Sequence, residues 1–500
     1  MRILLVYPEF PDTFWGFKHA LRFIRKKASF PPLGLLTVAA LLPGEWEKRL
    51  VDMNVTPLTR HDLEWADYVF VSAMVVQRDS TRDVVQHCHE AGVKVVAGGP
   101  LFIGEHEDFP AVDHFVLGEA EATLSLFLRD LAEGNAQRIY QSDELPDISR
   151  SPVPMWELVD LKQYSSMCIQ YSRGCPFNCD FCNITAMFGH RPRIKTAEQI
   201  VAELDSLYNL GWRGGVFFVD DNFIGNKRHL KTEMLPALIE WRRGKRGMAF
   251  QTEVSINLAD DAELMRMMVD AGFDKVFVGI ETPDEESLQE CSKVQNRGRD
   301  LLESVKTIQR AGMEVQGGFI VGFDSDTPSI FERQIEFIQN SGIVTAMVGL
   351  LQAPYGTRLY ERMKKEGRLL GKLSGNNTDN TMNFAPVMDP DVLHEGYRKI
   401  LLTIYSPRVY YRRVRTLLQE YRASRAVKPV LTWDHIGAFF RSIVALGVRG
   451  QERVEYWKLF FWTLFRRPRL FPLAITFAIY GFHFQRICET YFSSGVKQSA

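Results

Sequence analysis

Three of the chain's seven cysteines fall within eight residues of the stretch QYSRGCPFNCDFCNI, at Cys175, Cys179 and Cys182. Their spacing is C-x3-C-x2-C. A lone free cysteine is ordinarily a small buried hydrophobe, and that is the reading for Cys88, Cys168, Cys291 and Cys488. Three thiols set between Gly174, Pro176 and polar residues do not make a core pattern. A structural zinc site closes with four ligands, typically from a second C-x2-C or an H-x3-H pair, and neither follows here. Thiolates on an iron–sulfur cluster fit better. A four-iron cluster held by three cysteines keeps one iron without a protein ligand, where a small molecule can bind the metal directly.

The elements around the thiols must place them on an open face. Five hundred residues predict two or three domains. Residues 1–135 alternate buried strands (RILLVYP, KRLVDM, YVFVSAM, KVVAGGP, HFVLGE) with helical segments such as PPLGLLTVAALLP. Continuous apolar strands alternating with helices predict a doubly wound parallel sheet, which takes ligands at the carboxyl ends of its strands. Residues 136–165 are polar and proline-punctuated, and read as a linker. Residues 166–385 carry six further strand–helix units: MCIQYS, GGVFFVDD, MAFQTEVS, KVFVGIE, VQGGFIVGF and TAMVGLLQ. That number predicts a partial (βα)6, TIM-like barrel, since full closure needs eight. The cysteines then follow the first barrel strand, on the face where barrel enzymes do chemistry. Residues 386–500 read as a helical, basic and aromatic region. The expected fold class is therefore α/β with a helical C-terminal region.

C-x3-C-x2-C after the first strand of a βα barrel resembles the radical SAM superfamily, and Phe181 matches the aromatic residue usual before the last cysteine. The resemblance covers about 165–385. It implies a 4Fe-4S cluster on Cys175, Cys179 and Cys182, whose open iron chelates S-adenosylmethionine (SAM), and reductive cleavage of SAM to a 5′-deoxyadenosyl radical. Carried over residue by residue, it places Asp220, Asp221 and Asn222 (FFVDDNF) at the methionyl amine and Glu253 and Ser255 (TEVSIN) at the carboxylate or ribose. Glu281 (VFVGIET) falls at the ribose hydroxyls, and Gly318, Ile320 and Gly322 (GGFIVGF) lie along the adenine. An acidic pair at a strand end has a plainer use as a helix cap, an alternative that stands for Asp220 and Asp221. A radical that abstracts hydrogen needs no general base, so no catalytic side chain is assigned beyond the cluster ligands.

Residues 1–135 resemble the Rossmann-like cobalamin-binding domain of cobalamin-dependent radical SAM enzymes. This implies a corrin over Ser72, Ala73 and Gln77 and over Gly98, Gly99 and Pro100. D-x-H-x-x-G is absent, and His19, His61, His87, His89, His106 and His114 lack its context, which argues against histidine ligation rather than against cobalamin. A dinucleotide is not expected, since AGGPLFIG is a poor G-x-G-x-x-G. The whole chain resembles the branch with the hopanoid 2-methylases and the anaerobic magnesium-protoporphyrin cyclases. The expected function is methylation of an unactivated carbon of a hydrophobic, hopanoid-like molecule. A radical cyclase or ring-rearranging enzyme is the alternative, and a non-catalytic cobalamin or cluster sensor the alternative of another class. An electron donor such as flavodoxin or ferredoxin is implied.

Charge is unevenly spread. Residues 401–500 hold 16 Lys and Arg against 5 Asp and Glu, a balance of +11, and the remaining 44 and 56 give −12 for residues 1–400. The acidic body argues against nucleic acid. The N-terminus shows no secretory pattern, and the odd, sparse cysteines suit a reducing cytosol. Residues 456–484 mix Trp and Phe with Arg466, Arg467 and Arg469. Their longest run free of charge and histidine, Leu470 to Phe482, is 13 residues, short of the ~20 a spanning helix needs. The segment suits a peripheral membrane contact, with an ordinary helical subdomain as the alternative.

Overall fold

Six parallel strands form the first sheet of the computed structural model, which describes residues 1–423, 426–428 and 430–492. They are β1 (Arg2–Tyr7), β2 (Glu47–Asp52), β3 (Tyr68–Ser72), β4 (Lys94–Gly98), β5 (His114–Val116) and β6 (Ile139–Tyr140). Their order is β2-β1-β3-β4-β5-β6, so the winding reverses at β1 and the ligand crevice opens beside it. Ile3, Leu4, Leu5 and Val6 of β1 are fully buried, alternately into the two apolar layers that cover the sheet. β6 lies inside the segment expected to be linker: Val116 pairs with Tyr140, so the sheet runs to residue 140. A two-residue edge strand is too short to leave a periodic signal in a polar, proline-rich stretch.

β7 (Ser166–Ile169) opens the second sheet. A small antiparallel ribbon, β8 (Ser172–Arg173) with β9 (Arg193–Ile194), brackets the cysteine loop. Then come β10 (Gly215–Phe218), β11 (Phe250–Val254), β12 (Phe273–Glu281), β13 (Glu314–Val321) and β14 (Ala346–Leu350). The sheet is parallel in the order β14-β13-β12-β11-β10-β7, a six-stranded open barrel with β7 and β14 as edges. Outward-facing residues such as Val276, Val278 and Ile280 are fully buried against the helices. Their inward-facing neighbours Phe277, Gly279, Gln316, Gly318, Met347 and Gly349 are only partly covered. A closed eight-stranded barrel fills its interior with layers of side chains; this one leaves its inner wall partly accessible.

The N-terminal domain fills the gap between the two edges. The Lys27 amide donates to Gln163 O (2.9 Å) and the Ser166 amide to Ser29 O (3.0 Å), laying residues 27–29 beside the start of β7. On the β14 side, Thr378 Oγ1 donates to Asp12 O (3.3 Å) and Phe14 stacks on Tyr405 (6.0 Å). Between these anchors Trp15 reaches Phe277 (5.3 Å) and Phe30 reaches Phe217 (5.3 Å), both on the inner wall.

The C-terminal region is helical, as expected: Pro390–Ile404, Pro407–Glu420, Trp433–Ser442 with a π-type continuation Ile443–Val448, Arg453–Arg466 and Phe471–Tyr491. It shares one apolar core with the barrel. Tyr405 Oη donates to Ala346 O (2.6 Å), the fully buried Arg413 donates to Val344 O (3.3 Å), and Tyr421 Oη donates to Gly312 O (3.2 Å). The segment 456–484 divides in two. Phe477, Ala478, Gly481, His483 and Phe484 are core, whereas Phe461 and Phe465 face outward. Among the described residues no helix is long and apolar enough to cross a membrane.

Candidate functional site

The cysteine loop is pinned from three sides. Gly174 sits at φ 96°, where a methyl group would meet Gly189 O at 2.9 Å and Phe188 O at 3.0 Å, so only glycine fits the turn. From the end of β10, Asp220 accepts from Tyr171 N (3.3 Å), Ser172 Oγ (2.6 Å) and Ser172 N, and Asp221 accepts from Gly174 N (3.0 Å). From beyond β14, Arg358 pairs with Asp180 (2.6 Å) and the Leu359 amide donates to Asp180 O (2.9 Å). The Asp180 amide donates to Cys291 O (3.0 Å). Asp220 is only 1% exposed, so its carboxyl holds the loop; neither a helix cap nor an amine site describes what it touches. Burial pushes Asp220 up to about 7 and Asp221 up to about 6, against these hydrogen bonds.

The three thiols are half-buried and none is in a disulfide. Burial pushes Cys182 up to about 12 and raises Cys175, and the charge of Lys293 works the other way on both. Lys293 pairs with Glu281 (2.5 Å) and lies 5.9 Å from the Phe181 ring. Gln295 Nε2 donates to Cys179 Sγ (3.7 Å), and Gln295 Oε1 is buried without a partner. A soft all-sulfur donor set with a cation beside it fits an iron–sulfur cluster. Neither Lys293 nor Gln295 was picked out in the sequence: they sit in a short turn after helix Glu285–Glu290, with no spacing signal of their own.

The other expected SAM residues gather on the same face. Glu281 ends β12 at a bulge with φ 63°, clamped by Asn296 Nδ2, which donates to Gly279 O (3.0 Å) and Ile280 O (2.9 Å). Burial, with the charges of Asp221 and Asp220, pushes Glu253 up to about 8. Asn222 Oδ1 accepts from Ser255 N (3.2 Å), so these two residues tie β10 to β11. Gly318 faces Phe277, whose ring a methyl group there would meet at 2.9 Å; Gly322 sits at φ 104°. Ile320 and Phe181 pack against one buried cluster that includes Phe323 and Phe384, which joins the fifth strand to the cysteine loop.

On the first sheet, Gly99 at φ 94° leaves room where a methyl group would meet Ser72 Oγ at 2.7 Å and Ala73 N at 3.1 Å. Ser72, Gly98, Gly99 and Pro100 thus make a strand-end surface beside the exposed Met74, a cradle suited to a planar macrocycle, whereas Ala73, only 1% exposed, belongs to the core beneath it. Gln77 departs from expectation. It is fully buried, accepting from Met74 N (2.9 Å) and donating to Pro8 O (2.5 Å), so it braces the surface from beneath and does not line it. His106 Nδ1 and His114 Nδ1 donate to the backbone at Phe102 O (3.2 Å) and Gln137 O (2.7 Å).

The two faces meet. Glu119, at 2.6 Å from both Arg173 and Arg193, and Glu121, at 2.8 Å from Arg173, join the end of β5 to the ribbon around the cysteines. Burial works to raise Glu121, but Arg173 more than offsets it and holds the carboxyl at about 2. Arg78 pairs with Glu105 (2.5 Å) and donates to Leu373 O (2.6 Å) in the loop after β14.

Comparison with known proteins agrees with this architecture. Residues 24–128 match the B12 binding domain, 169–338 the radical SAM superfamily, and 357–495 a domain of unknown function, DUF4070. The chain is 39% identical over 495 residues to an uncharacterized methyltransferase of Synechocystis, covering 98% of this chain and 92% of that one. It is 36% identical over 473 residues to the hopanoid C-2 methylase of Rhodopseudomonas palustris, covering 91% and 88%. The chain belongs to the cobalamin-dependent radical SAM family. A solved structure of the cobalamin-dependent SAM radical enzyme OxsB, with aqua-cobalamin and SAM bound, shares the fold at TM-score 0.61 and 14% identity, over 98% of this chain and 79% of that one. The cofactors of a cobalamin-dependent radical SAM enzyme are a 4Fe-4S cluster, SAM and cobalamin; the radical SAM domain serves the first two and the B12 binding domain the third.

Proposed function

We propose that this chain is a cobalamin-dependent radical SAM methyltransferase acting on an unactivated carbon of a hydrophobic, hopanoid-like lipid. The observation that carries the reading is the partly accessible inner wall of the barrel, where Trp15 and Phe30 of the first domain meet Phe277 and Phe217. The bound cofactors supply hydrogen abstraction and a transferable methyl group. In this reading Cys175, Cys179 and Cys182 hold the cluster, and Glu253, Ser255 and Glu281 hold the polar parts of SAM. Gly318, Ile320 and Gly322 lie along its adenine, and Ser72, Gly98, Gly99 and Pro100 carry the corrin, with Ala73 packed beneath them. Asp220, Asp221, Asn222 and Gln77 position these groups from behind. Phe217, Phe277 and Met347 give an apolar wall that orients a greasy substrate and excludes water. A flavodoxin or ferredoxin supplies electrons, and the basic tail keeps the enzyme at a membrane surface.

The deciding experiment is product analysis after anaerobic reconstitution with cobalamin, SAM, reductant and a hopanoid. S-adenosylhomocysteine and 5′-deoxyadenosine should appear together with a methylated lipid. Deoxyadenosine without S-adenosylhomocysteine would move the assignment to a radical cyclase.

A further inference from the structure

The helix running from Trp433 to Val448 is apolar on both sides. Its inner side packs through Ala438, Ser442 and Leu446, and its outer side presents Trp433, Ile436, Phe440, Val444 and Val448 to solvent. Trp433 is 85% exposed and Phe440 60%. The antiparallel helix Arg453–Arg466 packs beside it through Phe439–Phe460 ring contact (6.3 Å) and a Trp457 Nε1 bond to Gly447 O (2.9 Å). It repeats the pattern: Tyr456, Leu459 and Thr463 turn inward, and Val454, Phe461 and Phe465 turn outward, Phe465 at 78% exposure. A helix apolar all round is ordinarily a buried one, and contiguous exposed apolar surface of this kind marks an interaction site. Arg453, Lys458 and Arg466 are exposed on the second helix, and Arg449 and Arg469 in the turns that flank it.

A cleft of about 820 Å³ opens along the edge of this surface, and Phe440 and Val444 belong to both. Its walls include Phe23 and Phe482, and Arg22 and Arg449 stand around it, with Arg486 paired to Glu489 (2.9 Å). Within it, Glu452, only 5% exposed, keeps Oε1 without a hydrogen-bond partner, and Gln485 Nε2 is likewise buried and unpartnered. Apolar walls, arginines and two unsatisfied polar atoms together describe a receptacle for one amphiphile with an anionic, hydroxylated head.

We propose that the outward face of helices 433–448 and 453–466 docks on an anionic phospholipid bilayer, with the cleft taking a single lipid from it. Charge selects this partner: the 401–500 region carries +11 against −12 for the rest, so a negative surface draws this region rather than the acidic remainder. The proposal rests on the lipid-substrate reading only for the use of the contact, and the test is read without turnover. Holoenzyme is floated with vesicles of phosphatidylcholine alone or mixed with phosphatidylglycerol, at low and at raised salt. Wild type should float with the anionic vesicles, and less so as salt rises. Combined Trp433→Ser, Phe440→Ser and Phe465→Ser should weaken partition at least tenfold, with the cobalamin and cluster absorbance unchanged, because all three side chains are exposed. In a second measurement, bromine-labelled phosphatidylglycerol should quench tryptophan emission, and Trp433→Phe should remove part of that quenching. Equal flotation of wild type and the triple variant, or no flotation with anionic vesicles, overturns the proposal. So does a dimer in size-exclusion chromatography that Phe440→Asp converts to monomer, which would give the face to a second copy of the chain.

Discussion

At the scale of single residues, the site separates ligands from the charges that steady them. Replacing Cys182 with alanine should abolish both cluster iron and product, whereas Cys88→Ala, buried in the first domain's core, should keep both; iron and sulfide analysis with turnover separates the two. Lys293 is the partner that Glu281 needs. Lys293→Met leaves a buried carboxylate uncompensated, which costs about 3–5 kcal/mol and should show as a lower thermal midpoint. Adding Glu281→Gln should recover part of that stability without restoring SAM binding, a coupling that a double-mutant cycle measures. Glu314, on the floor of the barrel opposite Lys275, is pushed by burial from 4.5 up to about 7. Its folded form holds a proton that the unfolded chain has already released, so stability falls as pH climbs from about 4.5 to about 7. Relative to wild type, Glu314→Gln should therefore gain stability across that window, on the order of 3 kcal/mol, and level off above it. Paired melting curves at pH 5 and pH 8 check the sign.

At the scale of elements, strand ends do the positioning. The pair Asp220 and Asp221 holds the cysteine loop down, and Asn296 holds the bulge that turns Glu281 toward the barrel mouth. The Arg173 fork joins that loop to the cobalamin domain through Glu119 and Glu121, all three nearly enclosed. Arg173→Met should loosen the apposition of the two cofactor faces. The expected outcome is loss of bound cobalamin on gel filtration, with cluster iron largely retained, since the thiols themselves are untouched. Buried pairs of this kind are costly to break from one side, at about 3–5 kcal/mol.

At the scale of the whole molecule, three regions make one working chamber. Residues 12–29 of the first domain close the open side of the barrel, and the C-terminal helices share its core. A chain stopped at residue 385 should therefore aggregate, because it exposes the barrel surface that Tyr405, Arg413 and Tyr421 cover; soluble yield and circular dichroism read this. Trp15→Ala should keep cluster and cobalamin absorbance and lower kcat/KM at least about tenfold, equivalent to ~1.4 kcal/mol of lost substrate positioning. By itself the sequence determined the α/β class, the six parallel strands of the open barrel, the helical C-terminal region and the pairing of a cobalamin-binding with a radical SAM domain. Apolar runs, glycine stops and cysteine spacing are local patterns, and local patterns survive in one dimension. Only the tertiary structure decided that Asp220 and Gln77 are buried against Ser172 and Pro8, that Lys293 and Gln295 join the thiols, and that the tail's Phe477 is core while its Phe465 faces out. Hydrophobic periodicity says that a face is covered but not by what. The partner of a buried charge can lie a hundred residues away, and chain closure alone brings it near.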